Sequence, residues 1–179
     1  GGHFELSPMY HCIVLEDLLD LINLFGAYSL DVPLHLEEAA SRMTGWLQVM
    51  CHPDGDTPLF NDAAFGVAPT PQSLFRYADK LGIRVPRRAP TGMVRLDNSG
   101  YVKMSKGPAV LFCDVADIVA GYQPGHTHAD TFTFELSLFG RRVLVDTGTC
   151  LYRWGDLRAS QRATSAHNTL SVDGENSSE

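Results

Sequence analysis

Residues 125–149 read GHTHADTFTFELSLFGRRVLVDTGT. From Thr131 to Leu138 the residue types alternate, with Phe132, Phe134, Leu136 and Leu138 on one face and Thr131, Thr133, Glu135 and Ser137 on the other. A period of two is that of a β-strand. Gly140-Arg141 then supplies a tight turn into Val143-Leu144-Val145, so the two strands run antiparallel. Upstream, Met93–Leu96 and Tyr101–Met104 flank Asp97-Asn98-Ser99-Gly100 as a hairpin, and Val110–Cys113 forms another short strand. Downstream, Asn168–Val172 is expected to be the last strand.

The first half has a different period. Ser7-Pro8 is a hydroxyl cap followed by proline at the first helical position. Met9, Ile13, Val14, Leu18, Leu21, Ile22 and Phe25 recur at helical spacing until Gly26. Asp31-Val32-Pro33 opens a second helix through Leu36, Ala40, Met43, Leu47 and Met50. Thr70-Pro71 opens a third, short helix that Gly82 ends. Between them, 52–71 is a long loop rich in Pro, Gly and Asp. Arg84–Pro90 has two prolines, three arginines and no periodicity, and reads as a linker. Helices first and antiparallel strands second give an α+β chain with a helical part over 1–86 and a sheet part over 87–179.

Composition excludes several classes. The 179 residues carry a net charge of −7, and both halves are acidic, which argues against a nucleic-acid binder because such a domain needs a basic face. Glu16, Asp17 and Asp20 break the longest apolar stretch, so no segment is expected to span a bilayer. Cys12, Cys51, Cys113 and Cys150 form no C-x-x-C pair and are expected to be buried free thiols. The ends, Gly1-Gly2-His3 and Asn176-Ser177-Ser178-Glu179, read as those of a fragment and say nothing of localisation.

The densest chemistry is His126-Thr127-His128, with Asp146 and His167 downstream. On a strand, His126 and His128 share a face, and the turn at Gly140 brings Asp146 back beside them. Two imidazoles, a carboxylate and a third histidine suit zinc, or iron where positions stay open. Tyr10, in the first helical turn, sits where free amides and the helix dipole favour a phenolate, although read alone it is a partly buried aromatic. His3 and His11 are expected to be structural or exposed. The acids of His52-Pro53-Asp54-Gly55-Asp56 and Asn61-Asp62 lack calcium-loop spacing and are assigned to turn formation.

Four stretches, GGHFELSPMYH (1–11), HPDGDTPLFNDA (52–63), the 125–149 block and RATSAHNTLSVDG (162–174), occur in the order found in the heparinase II/III family of polysaccharide lyases, which the sequence resembles over nearly its whole length. The resemblance implies the last helices of an α/α toroid followed by the start of an antiparallel β-sandwich. It implies β-elimination on uronic-acid-containing glycans, giving a 4,5-unsaturated uronate. Such chemistry must neutralise the uronate carboxylate, remove the C5 proton and protonate the departing O4. Tyr10 then matches the family's tyrosine acid, in many members also the base; a phenol of pKa about 10 needs positive charge or donors nearby to act as base. His126 matches a histidine at the cleavage site, and His128, Asp146 and His167 match the ligands of a structural Zn2+. Tyr152 lies where some alginate-cleaving relatives carry a second tyrosine. Arg162 is a candidate for a substrate carboxylate or sulfate, with Arg141, Arg142 and Arg158 as further candidates, and Glu5 for orienting or capping the Tyr10 helix.

The partner implied is an acidic polysaccharide, and the compartment periplasmic or extracellular. The family's carboxylate-neutralising Asn or His belongs to an earlier toroid helix, upstream of this sequence. Two other classes fit part of the pattern: a cupin-like metal oxygenase or isomerase, which leaves the helices without a role, and a non-catalytic carbohydrate-binding module.

Overall fold

The chain is described as a computed structural model over residues 1–86, 88–117 and 124–178. Arg87, within the expected linker, lies outside the described residues. Helices α1 (Pro8–Ala27), α2 (Leu34–Met50) and α3 (Pro71–Lys80) precede a five-stranded sheet: β1 (Gly92–Leu96), β2 (Tyr101–Lys106), β3 (Ala109–Asp114), β4 (Phe134–Leu138) and β5 (Arg141–Leu144). The strands neighbour one another in chain order and every pairing is antiparallel. The α+β class expected from the two periodicities is the class observed.

Local chemistry explains the helix starts. The Ser7 hydroxyl accepts from the Tyr10 amide and Thr70 from that of Ser73, with Pro8 and Pro71 in the first turns behind them. Packing supplies the rest. Leu15 and Leu19 of α1, Leu47 and Met50 of α2 and Leu74 of α3 form one core that continues into the sheet through Phe60, Tyr101 and Phe112. Phe60 stacks on Tyr101 at 5.6 Å, and Trp46 Nε1 donates to the Ser99 hydroxyl at 2.9 Å. Helices and sheet therefore share buried surface.

Three local expectations need correction. β4 begins at Phe134, not Thr131, because the Thr133 amide donates to the Asp130 carbonyl at 2.7 Å and turns Phe132 to φ +65. Asn168–Val172 forms no strand; its one bridge pairs Val172 with Glu175, and its side chains reach back to β4 instead, as when Asn168 Nδ2 donates to the Phe134 carbonyl at 2.9 Å. A short helix, α4 (Asp156–Arg162), was not expected. The tight turn is present but lies one residue earlier than the expected Gly140-Arg141: Phe139 and Gly140 have φ +52 and +81, and Arg141 already pairs with Leu138 as the first residue of β5.

The alternating strand buries its polar face. Thr133, Glu135 and Ser137 are buried, while Phe134, Leu136 and Leu138 remain partly exposed. Glu135 accepts from the Leu59 amide at 2.6 Å and from Arg142 at 2.9 Å, with His52 Nε2 at 3.0 Å. His52 Nδ1 lies 2.7 Å from the Ser137 hydroxyl. A buried carboxylate persists only when its oxygens are satisfied, and here the 52–62 loop satisfies them, which fastens that loop to the sheet.

All four cysteines are free; Cys12 is buried, Cys51 and Cys113 are partly so, and Cys150 is exposed, contrary to the expectation that all are buried. His11 is structural, as expected: Nε2 faces the Met43 carbonyl at 3.0 Å and Nδ1 accepts from the His3 amide at 3.1 Å. Burial pushes its pKa down to about 3. A folded-state pKa below the ordinary histidine value means that stability is full above about 6.5 and is lost as pH falls toward the folded value. Thermal midpoints measured between neutral pH and about pH 3 should therefore fall with acidification. His11→Gln, which carries no titrating ring, should remove this residue's share of the slope.

Candidate active site

The site forms where the start of α1, the 58–63 segment and the 125–130 segment meet. Leu6 holds φ +55, a strained value for a branched side chain. Its carbonyl is pinned by Asn61 Nδ2 at 3.1 Å and by the Tyr101 hydroxyl. Asn61 is itself left-handed at φ +57, which asparagine tolerates, and its Oδ1 accepts from the His128 amide at 3.1 Å. Gly148, at φ +57, passes so close to this segment that a Cβ would lie 2.2 Å from the Ala63 carbonyl oxygen. Only glycine fits there.

His126 and His128 do not lie on a strand. His126 ends a single 3-10 turn, Pro124–His126, and His128 follows in irregular backbone. Their rings converge nonetheless, because both reach the Asp62 carboxylate: His126 Nδ1 to Oδ2 at 2.9 Å and His128 Nε2 to Oδ1 at 2.8 Å. Arg158 of α4 grips the same group with both terminal nitrogens, at 2.5 and 2.7 Å. Burial alone raises a carboxyl pKa, but hydrogen bonds from His128, Arg158 and His126 bring that of Asp62 down to about 2.

The Tyr10 and His126 rings lie against each other. Their ring centroids are 4.2 Å apart, inclined at 33°. Tyr152 closes the group, edge-on to His126 at 6.4 Å; desolvation and a hydrogen bond with Tyr10 push its phenol up. Glu5 does not cap α1, since Ser7 does, but its Oε2 lies 3.4 Å from His126 Nε2. The structure thus brings together Tyr10, His126, Tyr152 and Glu5 from three separate stretches.

His128, Asp146 and His167 form the adjoining layer. His167 Nδ1 lies 2.9 Å from Asp146 Oδ1, which also accepts from the Gly148 amide, while Thr133 donates to Oδ2 at 2.8 Å. Burial opposes charge on His167, yet Asp146 raises its pKa, whereas burial lowers that of His128. The two rings stand 5.1 Å apart. Among the described residues no three of His, Cys, Asp and Glu already converge as a coordination sphere. The donor chemistry still fits a cation: His128 Nδ1 and His167 Nε2 are buried without a hydrogen-bond partner, as is Asp130 Oδ2 beside them. Each ring's other nitrogen is held by a carboxylate, the arrangement that orients a metal-binding imidazole.

The arginines depart from expectation. Arg158 is buried against Asp62, and Arg142 is held between Glu135 and Asp54. Arg162 donates to the Thr127 carbonyl at 2.6 and 2.9 Å and lies over the Trp154 ring. Only Arg141 of the four is exposed, so they do not make the basic surface cluster that a polyanion would meet. Asp62 and Arg158 are the site residues that sequence reasoning assigned elsewhere. The available signal was a polar pair, Asn61-Asp62, set inside the otherwise apolar run from Pro58 to Phe65.

This α+β arrangement is that of a known class. The family described as heparinase II/III-like, C-terminal, matches residues 88–179, more than half of the sequence, and the chain belongs to that family. The heparin-sulfate lyase of Pedobacter heparinus is 28% identical over 98% of this chain and 29% of its own length. That of Bacteroides thetaiotaomicron is 25% identical over 98% of this chain and 30% of its own. A crystal structure of heparinase III superposes with a TM-score of 0.80 at 24% identity, covering 98% of this chain and 32% of that one. The chain spans under a third of the length of each of these proteins.

Removing one member of a buried ion pair strands the other. Arg158→Met should therefore cost about 3–5 kcal/mol of stability by chemical denaturation, whereas Arg141→Met, at an exposed position, should leave the midpoint nearly unchanged.

Proposed function

We propose that this chain carries part of the catalytic machinery of a polysaccharide lyase that cleaves uronic-acid-containing glycans by β-elimination. The observation that carries this reading is the 4.2 Å approach of the Tyr10 and His126 rings, from elements 116 residues apart in sequence. Elimination needs a group that moves a proton beside a group that meets the uronate, and these two supply it. Tyr10 protonates the departing O4 and, in this reading, also receives the C5 proton. His126 stands against the uronate at C5, its Nε2 directed away from Asp62. Tyr152 stands edge-on to His126 and closes the far side of the site.

Heparin-sulfate lyases among the relatives make a glycosaminoglycan the first substrate to test; a periplasmic or extracellular location belongs to the same proposal. The same reading gives Zn2+ to His128, Asp146 and His167. The ion would supply fixed positive charge that holds the His126 segment in place; the chemical step belongs to Tyr10 and His126. The helices over 1–86 would then close a toroid, and 87–179 would begin a sandwich. A cupin-like reading leaves the Tyr10–His126 contact without a task, and a binding module would release no product.

The assay is the ultraviolet absorbance of the unsaturated uronate, run on the full-length protein with heparan sulfate, alginate and bacterial exopolysaccharides. Tyr10→Phe and His126→Ala should each lower kcat by about 10²-fold or more. Activity that survives both substitutions would count against the assignment. By elemental analysis, His128→Ala and His167→Ala should lose zinc while His126→Ala keeps it; retention by all three variants would remove the ion from this site.

A further inference from the structure

One carboxylate binds the two halves of the proposed site together, and the elimination chemistry has no place for it. Asp62 lies fully buried and uses its backbone as well as its side chain. Its amide donates to the His126 carbonyl at 3.1 Å, and its carbonyl accepts from the Ser7 hydroxyl at 2.7 Å. Ser7 is the cap of α1, three residues before Tyr10. Asp62 is therefore fixed to the start of the Tyr10 helix on one side and to the main chain of His126 on the other. A carboxylate only accepts hydrogen bonds, so the 2.9 Å contact at Oδ2 places the His126 proton on Nδ1. That leaves Nε2 on the ring edge away from Asp62, where Glu5 Oε2 lies 3.4 Å from it.

We propose that Asp62 is the positioning residue of this site: it holds His126 as the Nδ1–H tautomer and sets the spacing between the His126 ring and Tyr10, with Arg158 as the counter-charge that keeps its carboxylate in register. The proposal rests on the lyase reading above and deepens it. Asp62 does not touch substrate. Its bidentate partner Arg158 leaves one lone-pair direction on each oxygen, and the two histidines use those. A neutral amide in its place presents a donor on one side, which cannot accept from Arg158 and a histidine together.

The test uses the full-length protein with heparan sulfate, scored by release of unsaturated product. Asp62→Asn should lower kcat by about 10²-fold with KM changed less than about threefold, because misplacing a reacting group costs turnover and not binding. In a His126→Ala background the same substitution should cost less than about threefold further, since a residue that acts through His126 has nothing left to act on. Asp62→Glu keeps the charge, displaces the carboxylate by one methylene, and should behave as Asp62→Asn does. A wild-type turnover in either single variant, or an equal loss with and without His126, overturns the proposal while leaving the lyase reading intact. Failure of both single variants to fold, by circular dichroism, assigns Asp62 to architecture alone and also overturns it. A wild-type protein that yields no unsaturated product from any uronate glycan overturns the lyase reading itself, and the positioning role with it.

Discussion

The constraint on which the site depends is the desolvated carboxylate of Asp62. It carries a negative charge in a place with no access to water, where a charge is tolerated only when its oxygens are matched. Arg158 from α4, His126 and His128 from the 125–130 segment, and the Ser7 hydroxyl from the α1 cap each answer one of its groups. These partners come from the beginning, the middle and the end of the chain. An apolar core joins surfaces without specifying which atoms meet. A buried acceptor with directional donors does specify them, and it leaves the Tyr10 and His126 rings in contact.

The same logic explains the strand that looks inverted. β4 turns Glu135 and Ser137 inward against the 52–62 loop, where the Leu59 amide and the His52 ring meet them. His52, Arg142 and the Leu59 amide supply donors to Glu135. Asp62 sits at the end of that loop, three residues beyond the Leu59 amide. The Glu135 network thus sets the loop, and the loop sets Asp62. Two buried carboxylates in series replace the hydrophobic contact that an alternating strand leads one to expect.

Much of this was legible in the sequence, for physical reasons. Helix caps are local chemistry, so Ser7-Pro8 and Thr70-Pro71 read correctly, and the turn at Gly140 was legible to within one residue. Helical and strand periods reported the order of elements. What the periods could not report was direction: alternation separates two faces and does not say which one is buried, and polar partners fifty to ninety residues away decided it for Glu135 and Ser137. The same limit hid Asp62, because a carboxylate beside an asparagine has the signature of a turn, and the three side chains that donate to it, His126, His128 and Arg158, are distant in sequence. His126 and His128 were paired for a mistaken reason. They meet through a shared acceptor, Asp62, and not through strand periodicity.

Strain follows the same map. Leu6 and Asn61 both hold left-handed backbone within the shell that fixes Asp62, and a hydrogen bond from one to the other binds them together. A branched residue in that conformation costs of order 1–3 kcal/mol and persists only when its surroundings over-determine it. Here the Leu6 carbonyl accepts from both the Asn61 amide and the buried Tyr101 hydroxyl; Asn61 Nδ2 also reaches Asp114 Oδ2 at 3.2 Å, so relaxing Leu6 would remove the acceptor of the Tyr101 hydroxyl and one of the two acceptors of Asn61. A buried donor left without a partner carries a penalty of about 1–3 kcal/mol, comparable with the strain. The hydrogen bonds at the Leu6 carbonyl therefore offset the distortion. It directs the chain into the Ser7 cap at the angle that brings Tyr10 over His126, which makes the approach of the two rings a consequence of backbone hydrogen bonding before any substrate is present.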